Sequence, residues 1–293
     1  MDLRIFDVEH GQCSHIVTST NRHILIDAGH NSSTNWRPST YLPRRGISHI
    51  DKLIISNFDE DHASDLHNLV ETVSIGTLMK NPSVSPHNLR QLKEIGGIGR
   101  GIDALADLMA RYTASVSSNI DYGDFKIRSF WNRYPAEFED ENNLSLVSII
   151  ESHGIRICFP GDMEVAGWER LLARESFRAA MGEVDILVAS HHGRRNGCSE
   201  RLFDETGLSP YFVRIAGHRA LVPPSLPRIR AERGTTACPN HAKGWSGPDT
   251  NKPARGSSRR VLICGRTIYP SCRFALQNGS APICLAAPVK RSS

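Results

Sequence analysis

The sequence predicts an α/β protein in which two mixed sheets pack face to face and helices cover the outer side of each sheet. Two observations predict this architecture. Short apolar strand segments and helical patterns alternate along residues 1–215, and the strands gather in two halves that are each followed by helices. A chain of 293 residues, of which 39% are apolar, is also long enough to bury a substantial core.

The first half begins with short apolar strands. Its predicted strands are Leu3–Val8, Ser14–Thr18, His23–Asp27, Lys52–Ser56 and Leu78–Lys80. Residues 30–50 are polar and predict irregular structure. Apolar residues at helical spacing predict one helix over 62–73, and a second helical pattern over 85–112 is interrupted by the glycines at 96, 97 and 99. These glycines lack the spacing of a phosphate-binding loop, so they predict a helix break.

The second half repeats this organisation. Its predicted strands are Phe125–Trp131, Leu144–Glu151, Ile155–Pro160, Asp185–Ser190 and Tyr211–Ile215. Helical spacing covers Gly167–Ala180, and Ser199–Glu205 predicts a further short helix.

The charge balance changes abruptly near residue 216, which predicts a boundary between a domain at 1–215 and a basic tail at 216–293. Residues 1–215 contain 22 Lys and Arg against 29 Asp and Glu, whereas residues 216–293 contain 13 basic and 2 acidic residues. The tail also holds 9 of the 16 prolines, and Arg259–Ile263 is its only plausible strand. We expect it to be poorly ordered, or out of register because the reading frame shifts after 211–215. A cationic arm that binds nucleic acid ranks third.

The composition excludes several classes of protein. No run of about 18 apolar residues is present, so we expect no membrane span. Acidic residues within the first ten positions argue against a secretory signal, and we expect a cytoplasmic protein. The 7 cysteines form no C-x-x-C pair, so neither a disulfide framework nor a thiolate zinc finger is predicted.

Three predicted strands end in side chains that can bind a metal. In chain order these side chains are Asp59, Asp61 and His62, then Asp162, then His191 and His192. A helix N-cap, a turn aspartate and a surface histidine pair would each explain one of the three segments without a metal. One shared metal site explains all three together, because strand ends hold such side chains on rigid elements.

These segments belong to a longer ordered set of motifs within residues 1–215. The set comprises Phe6-Asp7-Val8, Gly11-Gln12, Leu25-Ile26-Asp27-Ala28-Gly29, Asn57-x-Asp59-x-Asp61-His62, Asn143-x-Ser145-Leu146-Val147, Gly161-Asp162-Met163-Glu164, Ser190-His191-His192-Gly193, and Asn196 with Ser199-Glu200. It resembles the metallo-β-lactamase fold, and within that fold the soluble domain of the DNA-internalization competence protein (ComEC type) and its stand-alone relatives. The resemblance implies an αββα sandwich with a metal site at the rim where both sheets end.

The general motif of that fold, H-x-H-x-D-H, serves two metals. Asn57 and Asp59 stand where it has its first two histidines, and Asp61 and His62 match its last two positions.

The remaining family ligands lie further along the chain. Asp162 matches the bridging aspartate, one of His191 and His192 matches the last histidine, and Asn143 stands where another histidine precedes the aspartate. We therefore expect Zn²⁺ or Mn²⁺ at one firm site formed by Asp61, His62, Asp162 and one histidine of the pair. Asn57, Asp59 and Asn143 would contribute to a weak second site, since amide and carboxylate oxygens are poor zinc ligands.

The resemblance implies a metal-dependent hydrolase, with a phosphodiester as the favoured substrate and nucleic acid as a candidate partner. A metal with an open position lowers the pKa of bound water to about 7, and Asp59 or Asp61 would orient that water or take its proton. A catalytically inactive fold used for binding is the alternative, favoured by Asn57 and Asn143 in place of histidines. A di-iron oxidoreductase ranks last, because that branch needs more His and Glu ligands.

Further residues are candidates for supporting the metal ligands or contacting substrate. They are Asp27, His10, His30, Asn143, Ser145 and Arg194. For His10 and His30 an ordinary loop position is the favoured interpretation. Ser190 and Cys198 lack the context of a nucleophile.

Overall fold

The computed structural model describes residues 1–94, 96–114 and 120–208, together with the backbone of three further strands. The strands are β1 Asp2–Phe6, β2 Ser14–Val17, β3 His23–Ile26, β4 His49–Ile54, β5 Ser74–Met79, β6 Lys126–Phe130, β7 Val147–Ser152, β8 Ile155–Phe159, β9 Ile186–Val188, β10 Tyr211–Val213, β11 Ser271–Ala275 and β12 Ile283–Cys284. The helices are α1 Pro38–Arg44, α2 Glu60–Ala63, α3 Leu66–Thr72, α4 Pro86–Leu92, α5 Arg100–Arg111, α6 Val165–Leu172, α7 Glu175–Gly182 and α8 Glu200–Thr206. None of the helices in this part of the chain has the length and apolar character needed to span a bilayer.

The strands form two mixed sheets. Neighbouring strands follow the order β12-β11-β1-β2-β3-β4-β5 in the first sheet and β10-β9-β8-β7-β6 in the second. Strands β3, β4 and β5 are parallel, and so are β8, β9 and β10, whereas the other pairs are antiparallel. The carboxyl ends of each parallel set therefore lie at one edge of their sheet, the position where α/β sheets bind ligands.

Three buried layers confirm the predicted αββα sandwich. The layer between the sheets joins Leu3, Ile16, Ile24 and Ile54 of the first sheet to Ile150, Ile157, Phe159 and Ile186 of the second. A second layer lies between the first sheet and helices α1 to α5, and a third lies between the second sheet and helices α6 to α8. Central strands such as β3, β7 and β8 thus bury residues on both faces, which explains why these segments are nearly continuous in apolar character.

The predicted single helix over 62–73 is wrong, because Asp65 separates α2 from α3. Its carboxylate accepts hydrogen bonds from the backbone N–H of Ser39 at 2.9 Å and from Arg37 Nη1 at 3.2 Å. These contacts anchor the start of α1, a helix that lies in the segment predicted to be irregular. A buried carboxylate that satisfies the amino end of another helix is a tertiary interaction, so the local pattern could not predict it.

The predicted helix over Gly167–Ala180 is also two helices, α6 and α7. The break falls at Arg174, whose Nη1 donates to the backbone oxygen of Trp131 at 2.8 Å and whose Nη2 donates to Glu137 at 2.9 Å. The helical spacing was recognised correctly, and the interruption comes from contacts with the distant 131–137 segment.

The tail contributes strands that the sequence pattern did not predict. Strand β11 pairs antiparallel with β1, and β12 pairs with β11. Strand β1 is therefore covered at the edge that a missing tail would expose. The predicted strand Arg259–Ile263 lies outside the described residues, and the boundary at 216 stays a prediction.

Gly101, in the first turn of α5, allows this helix to approach α2 closely. A Cβ at Gly101 would lie 2.1 Å from the backbone oxygen of Ala63. Glu60 accepts hydrogen bonds from the backbone N–H groups of Gly101 at 2.8 Å and Ile102 at 3.0 Å, so it caps α5 from outside that helix. Glu60, which lies between Asp59 and Asp61, thus stabilises the contact between α2 and α5.

Candidate metal centre

The predicted ligand segments follow four parallel strands. Asp27 follows β3, residues 55–62 follow β4, Asp162 follows β8, and His191 and His192 follow β9. Because the two sheets pack face to face, the carboxyl ends of these strands meet at one rim of the sandwich. The three predicted segments therefore converge in space, although up to 133 positions separate their residues in sequence, from Asp59 to His192.

Asp162 lies at the centre of the converging side chains. Its Oδ1 is 3.0 Å from His62 Nε2, and its Oδ2 is 2.9 Å from His192 Nε2. The Oδ2 of Asp61 is 3.3 Å from the same nitrogen of His192. Ligand-type atoms of Asp61, His62 and His192 all lie within 4.8 Å of one another. Asp162 is 3% exposed, so the centre faces solvent mainly through Asp61.

Asp27 holds the imidazole of His62 from behind. Its Oδ2 lies 2.9 Å from His62 Nδ1, which leaves Nε2 to face Asp162. The orientation of Asp27 is set in turn by Ser56, whose backbone N–H and Oγ donate to the two carboxylate oxygens at 2.7 and 2.5 Å. A carboxylate behind a histidine in this way fixes the tautomer and direction of a metal ligand.

Protonation of the imidazoles balances the buried carboxylates. Burial opposes the charge of His62, but Asp162 and Asp27 raise its pKa well above the ordinary value of 6.5. Burial also lowers the pKa of His192, and its contacts with Asp162 and Asp61 raise that pKa by more. For Asp162, burial raises the pKa, but the charge of His62 and the contact with His192 bring it below its usual range. Protons and a metal cation would compete for the same nitrogen atoms.

The turn that carries the histidine pair has an unusual backbone. His191 and His192 have φ angles of +49° and +54°, in the left-handed region that side chains other than glycine rarely adopt. Ser190 anchors the turn by donating to the backbone oxygen of Met163 at 2.6 Å, and the N–H of His191 donates to Gly161 at 3.1 Å. Strained backbone of this kind concentrates at functional sites.

The two histidines of the pair have different surroundings. Arg194 Nη1 donates to His191 Nε2 at 2.9 Å, and His191 Nδ1 faces Glu164 Oε1 at 3.3 Å. His191 Nε2 is also 3.9 Å from Asp162 Oδ2, so this ring lies at the margin of the centre. The nitrogen of His192, in contrast, points between Asp61 and Asp162. The geometry therefore favours His192 as the ligand and His191 as its support.

The donor set fits a divalent cation. His192 Nε2 is buried, and although two carboxylates approach it, none is aligned as a hydrogen-bond acceptor. Two imidazoles and two carboxylates around one point are the ligands that Zn²⁺ and Mn²⁺ accept. Asp61, His62, Asp162 and His192 would hold such an ion.

Asn57 and Asn143 make protein contacts away from this cluster. The Oδ1 of Asn57 accepts the backbone N–H of Asp59 at 2.6 Å, and its Nδ2 donates to Ser145 Oγ at 3.0 Å. The Oδ1 of Asn143 accepts the N–H of Gly167 at 2.7 Å, and its Nδ2 donates to Asp140. Both amides therefore connect loops of the rim rather than face the other candidate ligands.

The other predicted residues lie around the centre. Ser145 Oγ also accepts the backbone N–H of Asp162 at 3.1 Å, so it positions that aspartate. His30 contacts Ser64 Oγ through Nδ1 at 2.7 Å. His10 is exposed, and its ring centroid lies 6.5 Å from that of His192.

Lys93 and Glu164 are residues of this rim that the sequence interpretation missed. Lys93 Nζ lies 2.6 Å from Asp59 Oδ1, and Glu164 faces His191 and accepts hydrogen bonds from Asn142 and Asn196. Glu164 is the last residue of the Gly161-Asp162-Met163-Glu164 motif, which is a usable signal. Lys93 had none, because its acidic partners are 34 and 48 positions away.

The fold agrees with comparisons to known proteins. Residues 8–108, which include Asn57 to His62, match the family described as Metallo-beta-lactamase superfamily. The chain has the metallo-β-lactamase fold. The competence protein ComA of Neisseria gonorrhoeae is 25% identical over 205 residues, which cover 69% of this chain and 25% of that protein. The predicted resemblance is confirmed, and the chain spans a quarter of the length of this relative.

Solved structures of this fold align along most of the chain at low identity. The metallo-beta-lactamase fold protein YhfI from Bacillus subtilis is 13% identical, with a TM-score of 0.39, and the alignment covers 75% of this chain and 88% of YhfI. The Zn(2+)-bound PqqB from Methylobacterium extorquens is 15% identical, with a TM-score of 0.38, over 64% of this chain and 72% of PqqB.

The different surroundings of the histidine pair predict different effects of substitution. We expect His192→Ala to weaken Zn²⁺ binding about 1,000-fold, because one ligand is lost, and His191→Ala to weaken it about 10-fold, at the lower end of the effect of residues outside the coordination shell. Calorimetric titration of the metal-free protein with Zn²⁺ measures both. A larger loss for His191→Ala than for His192→Ala would contradict the assignment.

Proposed function

We propose that the chain is a metal-dependent hydrolase that cleaves phosphodiesters. The observation that carries the proposal is the position of Asp162, buried between the Nε2 atoms of His62 and His192, with Asp61 beside it. With Asp27 included, three carboxylates and two imidazoles meet at this rim. The metallo-β-lactamase fold is typical of metal-dependent hydrolases.

Each residue of the centre has a distinct task in this proposal. Asp27 and Ser56 hold His62 in one orientation, and Ser145 holds the backbone of Asp162. Among the four candidate ligands Asp61 is the most exposed, so its carboxylate is placed to accept a proton from an incoming water molecule. A divalent cation held by Asp61, His62, Asp162 and His192 would supply Lewis acidity and would lower the pKa of a water molecule at this position.

The surface beside the centre supports an anionic substrate. Arg194 and Arg195 directly follow the histidine pair, and both are exposed. Their positive charge offsets the acidic balance of residues 1–215 at the point where a phosphodiester would approach. The similarity to a competence protein also favours nucleic acid as the phosphodiester.

The proposal is tested by metal analysis combined with a hydrolysis screen. Purified protein is stripped with a chelator, and turnover of bis-p-nitrophenyl phosphate and single-stranded DNA is measured with and without added Mn²⁺ or Zn²⁺. We expect turnover that is lost on stripping and restored by the metal. Arg194→Ala is expected to raise KM for DNA more than for the small ester, because only DNA extends beyond the centre.

Two outcomes would contradict the proposal. Protein that holds no cation, with no hydrolysis restored by Mn²⁺ or Zn²⁺, would favour a fold used only for binding. Metal-dependent hydrolysis of carboxylic esters without any phosphodiester turnover would retain the hydrolase and overturn the substrate class.

A further inference from the structure

Lys93 occupies the side of the rim where the family motif places its first two histidines. Its Nζ lies 2.6 Å from Asp59 Oδ1 and 2.9 Å from Glu141 Oε1, and its side chain is 12% exposed. The three residues come from the end of α4, the start of α2 and the loop between β6 and β7. An ammonium group is thus clamped between two carboxylates of distant segments.

The contacts keep this ammonium group charged. Burial alone would lower the pKa of Lys93, but the hydrogen bonds to Asp59 and Glu141 raise it above the ordinary value of 10.5. Asp59 is two positions before Asp61, so a fixed positive charge lies directly beside the segment that carries the candidate ligands. A divalent cation on this side would be repelled by the positive charge of Lys93, and the carboxylate of Asp59 would already be paired with that charge.

The other groups expected at a second metal position are also engaged by the protein. The amide oxygen of Asn57 accepts the N–H of Asp59, and that of Asn143 accepts the N–H of Gly167. Among the described residues, the ligand set for a second metal therefore does not fit, whereas the set around Asp162 does.

We propose that the ammonium group of Lys93 takes the place of a second divalent cation, so that the chain binds one divalent cation per molecule. The inference rests on the proposed function, which places the first cation between Asp61, His62, Asp162 and His192. Lys93 acts here as a charge-compensating residue, and Asp59 is its partner instead of a metal ligand.

Metal stoichiometry tests the inference without relying on activity. The full chain is stripped of metal and titrated with Mn²⁺ in a calorimeter, and bound manganese is counted by elemental analysis after desalting. We expect one equivalent for the wild type and a second, weaker equivalent for Lys93→Met, which leaves Asp59 and Glu141 without a cation. Lys126→Met is the control, because Lys126 lies on β6, pairs with Glu151 of β7, and its loss should leave one equivalent bound.

Two more variants keep the inference testable if Lys93→Met does not fold. Lys93→Arg retains the charge and should bind one equivalent, and Asp59→Asn should also bind one because Asp59 is not a ligand. A wild type that binds two equivalents, a folded Lys93→Met that binds one, or an Asp59→Asn that binds none would each overturn the inference. A wild type that binds two equivalents leaves the proposed hydrolase standing, whereas one that binds none overturns both.

Discussion

Replacing Asp162 by alanine is expected to abolish metal binding and metal-dependent hydrolysis. The substitution removes the carboxylate that touches both His62 and His192, and it leaves their buried imidazoles without their shared counter-charge. Breaking a buried charge pair costs about 4 kcal/mol of folding stability, and a loss of about the same size in metal-binding free energy is about a factor of 1,000 in affinity. We therefore expect Mn²⁺ or Zn²⁺ affinity to fall about 1,000-fold, as measured by calorimetric titration.

Asp162→Asn separates loss of charge from loss of shape. Asparagine keeps the volume of the side chain, and the backbone N–H of residue 162 can still donate to Ser145 Oγ. We expect this variant to fold, as judged by circular dichroism, and to lose the metal as fully as the alanine variant does. Either variant with wild-type metal affinity would show that the cation is held elsewhere.

Replacing Gly11 by alanine is expected to destabilise the fold by about 3 kcal/mol or more and to weaken metal binding. Gly11 has a φ of +83°, and an added Cβ would lie 2.0 Å from the backbone oxygen of Asp61. Left-handed strain costs about 1–2 kcal/mol, and overpacking typically adds 1–3 kcal/mol. Relief of the clash must displace the segment that carries Asp61 and His62, so metal affinity falls as well.

Gly46→Ala is the matched control for this prediction. Gly46 has a φ of +75°, but nothing lies within 4 Å of an added Cβ. Only the left-handed strain remains, so we expect a loss of about 1 kcal/mol and unchanged metal affinity. Urea unfolding and calorimetric titration measure both quantities for both variants. Equal stability of the two variants would mean that the loop at Gly11 does not press on Asp61.

The strand ends illustrate how far a single sequence leads. The apolar runs His23–Ile26 and Ile155–Phe159 are buried on both faces, so their character is visible locally and the sequence predicts each of these two strands to within about one residue. Asp162 and the histidine pair follow such runs directly, which is why the sequence predicted their convergence at one rim.

The helix breaks illustrate where local reasoning stops. Asp65 interrupts a regular apolar pattern because it satisfies the start of α1, and Arg174 interrupts another because it reaches Glu137 and Trp131. In both cases the partner is distant in the chain. No local propensity contains that information, because the contact exists only after the layers have packed.

The roles of particular side chains divide in the same way. The apolar layers and the residue types around the rim follow from periodicity and composition, because burial acts on every strand and helix separately. Only the tertiary structure distinguishes His192 from His191 and brings Lys93 into contact with Asp59. It also directs the side chains of Asn57 and Asn143 to contacts with neighbouring loops. Those outcomes depend on distances of about 3 Å between segments that are far apart in sequence. The packing of the two sheets sets these distances, and no single segment encodes them.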